Sequence, residues 1–102
     1  MASENNIVGL LMDEKDNVAT IFFETSENSQ IRVLKKDGEE KELLKSKEKI
    51  PFGHKIAVKN INKSEEIVKY GEVIGQASKD IKIGEYVHVH NLDSTRGRGD
   101  IK

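Results

Sequence analysis

Apolar residues in this chain come in short runs rich in Ile and Val, broken by charged or glycine-bearing segments. No long window repeats them at i, i+3, i+4 and i+7, so the pattern predicts a mainly β chain. The expected strands are Ile7–Met12, Val18–Phe23, Gln30–Leu34, Glu42–Leu44, Lys55–Val58, Ile67–Lys69, Val73–Ala77 and Tyr86–His90. Between the third and fourth, Lys35-Lys36-Asp37-Gly38-Glu39-Glu40 reads as a hairpin turn, because Asp-Gly tolerates the positive φ of a tight reversal. Lys41 to Lys49 stays open, since its Glu, Lys and Leu residues favour a short helix as an alternative to a strand.

A weak internal repeat adds to this pattern. Lys59-Asn-Ile-Asn-Lys-Ser-Glu65-Glu-Ile-Val68 superposes on Lys79-Asp-Ile-Lys-Ile-Gly-Glu85-Tyr-Val-His88 at an offset of 20 residues. In each copy an Ile anchors a single helical turn, a Ser-Glu or Gly-Glu turn follows, and a β-branched residue enters the next strand. Two copies do not make a solenoid, and the expectation is one compact β domain with pseudo-symmetric corners.

Composition narrows the class. At 102 residues, with 35% hydrophobic and 34% charged positions, the chain suits one modest, aliphatic core. Its 17 basic and 18 acidic residues are interleaved, which points to neither nucleic acid nor an anionic membrane as partner. Without cysteine, a disulfide framework, a thiol nucleophile and an iron–sulfur cluster held by this chain are excluded. The apolar run Ile7–Met12 is too short for a signal peptide or membrane span, so the expected compartment is the cytoplasm.

The candidate chemistry centres on three histidines. On a strand, His88 and His90 would share a face while Val87 and Val89 enter the core. Such a pair either chelates a divalent metal with ligands from elsewhere or is simply an outer strand face, two imidazoles being too few for a site. Pro51-Phe52-Gly53-His54-Lys55 reads as a rigid turn, since Pro51 fixes φ and Gly53 frees it. His54 and Lys55 there are either a carboxylate-binding or proton-transfer pair or a charged surface turn. The tail from Ser94 to Asp100 carries Arg96 and Arg98, which suit bidentate carboxylate contacts. Phe22, Phe23 and Phe52 are either core or partner interface. No phosphate-cradling glycine loop or nucleophile elbow is present.

Three segments in order, Gly53-His54-Lys55-Ile56-Ala57-Val58, Lys69-Tyr70-Gly71-Glu72-Val73-Ile74-Gly75 and His88-Val89-His90-Asn91, together with Asp16-Asn17-Val18-Ala19, resemble the SAF-type β-clip domain of altronate and galactarate dehydratases. The resemblance covers nearly the whole chain and departs most between Glu24 and Lys49. It implies a mainly β, β-clip (SAF-like) single domain with short helical turns over residues 1–92, followed by a flexible tail at 93–102. It also implies the small subunit of a sugar-acid hydro-lyase, inactive without a large catalytic subunit, in which a divalent metal, expected to be iron, serves the assembled enzyme. The residues carried over are His54 and Lys55 as catalytic, His88 and His90 as metal ligands, and Asn91 with the tail's Arg96 as substrate-binding. Tyr70 and Gly71 would shape the pocket. Two alternatives stand beside this reading: the small subunit of a sulfolactate sulfo-lyase, and a non-catalytic SAF-type carbohydrate-binding or assembly module.

Overall fold

The computed structural model describes residues 7–94. Among them nine strands form: β1 (Val8–Leu11), β2 (Val18–Ile21), β3 (Gln30–Lys35), β4 (Glu40–Lys45), β5 (Lys55–Ala57), β6 (Glu66–Lys69), β7 (Glu72–Ala77), β8 (Tyr86–Val87) and β9 (Leu92–Ser94). They build a six-stranded sheet in the order β4-β3-β1-β2-β5-β8 and a three-stranded sheet in the order β6-β7-β9. All pairings are antiparallel except β1 with β3.

The larger sheet is covered on both faces, in different places. On one face Leu11, Ala19, Ile21, Ile31, Val33, Ile56 and Val58 pack with Ile50. On the other, Val18, Ala57 and Val87 meet Ile61, Ile67, Ala77 and Ile81. Strands buried on both faces lose the apolar–polar alternation, so Val18-Ala19 and Ile56-Ala57-Val58 are consecutive buried residues. Each Ile or Val side chain fully buried this way contributes about 1.5–3 kcal/mol over exposure.

The β3–β4 hairpin turns where Asp-Gly predicts, with Gly38 at φ +90° and the Glu39 N–H bonded to Asp37 Oδ1 at 2.9 Å. Five residue pairs follow, from Leu34 opposite Glu40 to Gln30 opposite Lys45. The helix alternative for Lys41–Lys49 is therefore not taken over Lys41–Lys45. Ladder pairing, with Leu44 set against the first core, outweighs the local helix propensity.

The internal repeat folds as a pseudo-dyad. Ile61 and Ile81 exchange backbone hydrogen bonds at 2.8 and 2.7 Å. Each copy then closes a tight turn in which the Glu65 N–H reaches the Asn62 carbonyl and the Glu85 N–H reaches the Lys82 carbonyl. Both glutamates fold back, Oε1 of Glu65 accepting from the Asn62 N–H and Oε1 of Glu85 from the Lys82 N–H. The third turn residues, Ser64 and Gly84, have φ of +77° and +93°. These left-handed residues reverse the chain, and the short helical turns expected at the corners are not formed; the described residues contain no helix.

Two asparagines complete the dyad. Asn17 lays its carboxamide along β6, Oδ1 accepting from Val68 N–H and Nδ2 donating to the Glu66 carbonyl. Asn91 does the same for the backbone groups twenty residues on from Glu66 and Val68, Oδ1 accepting from His88 N–H and Nδ2 donating to the Tyr86 carbonyl. Their backbones match too, bonding Val68 and Val58 in one case and His88 and Ser78 in the other.

Strand β9 is unanticipated. It pairs with β7 at Gly75, where an added Cβ would lie 2.3 Å from the Asp93 carbonyl oxygen. Asp93 and Ser94 thus belong to the sheet, beyond the boundary expected at residue 92.

Candidate active site

Antiparallel pairing of β5 with β8 sets Lys55 opposite Val87 and Ile56 opposite Tyr86. Continued by one residue, this register brings His54 opposite His88, and their ring centroids lie 4.8 Å apart. His54 is held by the turn expected from Pro51 and Gly53: its N–H bonds the Pro51 carbonyl, Gly53 has φ +84°, and both Gly53 and His54 bond Ile21.

The expected strand Tyr86–His90 stops at Val87. Asn91 takes the Tyr86 carbonyl and the His88 N–H, the groups a longer strand would offer a neighbour, and residues 88–91 form a turn closed by the Asn91 N–H on the His88 carbonyl. Val89 consequently lies 76% exposed at the turn and not in the core. His88 and His90 come together by this turn, not by strand alternation.

Tyr86 is the centre of the cluster. Its ring stacks on His88 at 5.6 Å and 8°, lies 5.3 Å from His90, and meets His54 edge-on at 5.5 Å. The Tyr86 hydroxyl and His54 Nδ1 share a hydrogen bond of 2.7 Å. Glu48 Oε2 accepts the Tyr86 N–H at 3.1 Å, and the ring also packs on the first core.

Lys55 points to the opposite face of β5, alongside Val87 and opposite Thr20 of β2, whose hydroxyl is buried without a partner. Burial, then the charge of Lys69, lowers the Lys55 pKa below the ordinary lysine value. The His88 pKa is lowered by desolvation first, then by the neighbouring positive charges of His54, Lys55 and His90. The charges acting on both groups are cationic, a field that suits an anion.

Of the residues expected at the site, His54, His88 and His90 converge, with Lys55 close behind the sheet. Asn91 is only 3% exposed with both ends of its carboxamide bonded to backbone, so it holds the His88 turn in place. Arg96 lies outside the described residues. Tyr70 and Gly71 form the β6–β7 turn with φ of +56° and +76°, clasped by the buried Asp16 carboxylate at 3.0 and 2.8 Å. Tyr86 and Thr20 were missed; the Tyr-x-His spacing on one strand was the signal for the first.

Phe22 and Phe52 are 42% and 66% exposed with rings 6.4 Å apart, an apolar patch beside the His54 turn. A broad groove of about 1010 Å³ lies elsewhere, between Leu11–Glu14 and the β3–β4 hairpin, and none of the clustered residues lines it.

A family model described as the altronate/galactarate dehydratase SAF domain matches residues 8–95. Altronate dehydratase of Bacillus subtilis (strain 168) is 54% identical over 48 residues, 47% of this chain and 10% of that protein. The (2R)-sulfolactate sulfo-lyase subunit alpha of Chromohalobacter salexigens is 42% identical over 50 residues, 49% of this chain and 53% of that subunit. Its namesake from Paracoccus pantotrophus is 36% identical over 72 residues, 71% of this chain and 91% of that subunit. The chain thus spans a tenth of the Bacillus dehydratase and about half of the Chromohalobacter subunit.

Proposed function

The chain belongs to the SAF-domain family of altronate and galactarate dehydratases, and from that premise we propose that it is the small subunit of a cytoplasmic two-chain sugar-acid hydro-lyase. The observation that carries the reading is the in-register pair His54 and His88, gathered around Tyr86 at one sheet edge, with Lys55 behind the sheet and close enough to act on His88. A sugar acid presents a carboxylate to this field. Dehydration removes the proton α to the carboxylate, expels the β-hydroxyl as water once that oxygen is protonated, and leaves an enol that becomes a 2-keto-3-deoxy acid. Imidazoles suit both proton movements near neutral pH. His88, with its pKa lowered, is neutral and proton-accepting there. Lys55, from behind the sheet, adds positive charge to the field at His88.

A divalent metal does not find a full site among the described residues: no set of three His, Asp or Glu there is arranged to hold one. His88 and His90 can contribute imidazoles only if the large subunit brings the remaining ligands, and no step above passes through a metal.

A second reading is favoured by the alignment that covers 91% of the Paracoccus sulfo-lyase subunit alpha. Loss of sulfite from sulfolactate shares the α-proton abstraction and differs in the leaving group. The test is co-purification with the large partner and assay of the reconstituted pair on altronate and on sulfolactate, following 2-keto acid and sulfite. Turnover of altronate only in the mixture, lost about 100-fold in His54→Ala and His88→Ala, is the expected result. Sulfite release selects the second reading, and a mixture inert on both acids removes both.

A further inference from the structure

The hydrogen bond between Tyr86 and His54 assigns different tasks to the two facing imidazoles. Neutral imidazole has one protonated and one unprotonated nitrogen, and the partner of one fixes the state of the other. At 2.7 Å, the contact is of ordinary length for an O–H donor on a nitrogen acceptor. A phenol is a good donor and a weak acceptor, its oxygen lone pair being drawn into the ring. Among the described residues, no other acceptor is bonded to the Tyr86 hydroxyl, so donation from Nδ1 to the phenol would leave that proton to solvent. The favoured arrangement is Tyr86 O–H donating to His54 Nδ1, with the imidazole proton on Nε2.

Tyr86 is built to hold that direction. Its backbone N–H is fixed by Glu48 and its carbonyl by Asn91. Its ring is wedged between the first core and the stacked face of His88. A donor anchored on both sides of its backbone and on its ring needs no reorganisation when a ligand arrives.

We infer that Tyr86 is a positioning residue that locks His54 as the Nε2–H tautomer, so that His54 meets the bound acid as a hydrogen-bond and proton donor and not as its base. The oxygen it serves is the carboxylate or the departing β-hydroxyl of a hydroxy acid. In the dehydration, the proton on Nε2 moves to the β-oxygen as the carbon–oxygen bond breaks, the Tyr86 phenol proton passes to Nδ1 so that His54 stays neutral, water leaves, and solvent reprotonates the phenolate before the next turnover. The donor role rests on the hydro-lyase reading; the tautomer does not.

Two measurements test this, the first on the full chain alone. Ring ¹⁵N NMR, at a pH where His54 is neutral, is expected to show Nδ1 as an unprotonated acceptor and Nε2 as protonated. In Tyr86→Phe, which keeps the ring and its stacking, the two resonances should move toward each other as the tautomers mix. A wild-type proton on Nδ1, or a tautomer unmoved by Tyr86→Phe, overturns the inference. In the reconstituted pair, Tyr86→Phe should lower kcat about tenfold with little change in KM, since donor positioning is a part of the general-acid effect. His54→Gln, which keeps an N–H donor near the Nε2 position, should retain more kcat than His54→Asn. A shifted tautomer with unchanged kcat overturns the donor role. A pair inert on both acids removes the functional reading and leaves the NMR result to decide Tyr86.

Discussion

The two copies of the corner share a backbone and differ in what they carry. In the first, Glu66–Lys69 continues as a four-residue strand into the β6–β7 turn, and its asparagine, Asn17, arrives from the far end of the chain. In the second, the strand stops after Tyr86 and Val87, and the asparagine is local. The same hydrogen bonds to Glu66 and Val68 in one copy fall on Tyr86 and His88 in the other. A remote asparagine lets the strand run on into a hairpin, whereas a local one must fold the chain back at once, and this projects His88 and His90 out of the sheet beside His54. The first copy is scaffold, and the second has the same scaffold with the proposed site on its turn.

The largest break in this equivalence is expected at the corner turns. Gly84 has positive φ, and an added Cβ would sit 2.3 Å from the Lys45 carbonyl oxygen, so Gly84→Ala should destabilise the fold by about 3 kcal/mol or more in chemical denaturation. Next come the asparagines. Asn17→Ala and Asn91→Ala each strip partners from two backbone groups, a loss of about 2–3 kcal/mol in either copy. Their activities should then diverge: Asn91→Ala frees the His88 turn and lowers turnover of the reconstituted pair, while Asn17→Ala at permissive temperature leaves it near wild type. Equal activity losses would remove the distinction between scaffold and site.

How much of this was legible in the sequence follows from the range of each signal. Eight strands, the Asp37-Gly38 hairpin and the paired corners were readable because each rests on neighbours in the chain: Ile and Val alternation, a turn dipeptide, a repeated Ile-to-Glu spacing. The ninth strand was not, since Leu92-Asp93-Ser94 is short and polar and owes its pairing to the absence of a side chain at Gly75. His-Val-His imitates strand alternation, and only the position of Asn91 in space reveals that its carboxamide ends the strand. The convergence of His54 with His88 is set by β5–β8 register, which no local pattern encodes; the resemblance to the dehydratases joined them before the fold did.

Smaller effects sharpen the comparison further. Ser64, the counterpart of Gly84, holds φ +77° as a non-glycine residue, so Ser64→Gly should stabilise by about 0.5–1 kcal/mol, the opposite sign to Gly84→Ala. The smallest effect is on pH dependence, where the copies differ because His88 occupies the place of Val68. The folded-state pKa of His88 lies below the ordinary histidine value, so between the two the unfolded chain binds more protons. Stability from this residue is therefore complete above the unfolded pKa and is lost as pH falls through the folded one. Urea midpoints should drop less between pH 7.5 and 5 in His88→Gln than in the native chain, after subtraction of the shared carboxylate contribution. An equal drop in both would mean that burial and the charges of His54, Lys55 and His90 together do not oppose protonation of His88, and the cationic field proposed to receive the substrate's carboxylate would lose its physical support.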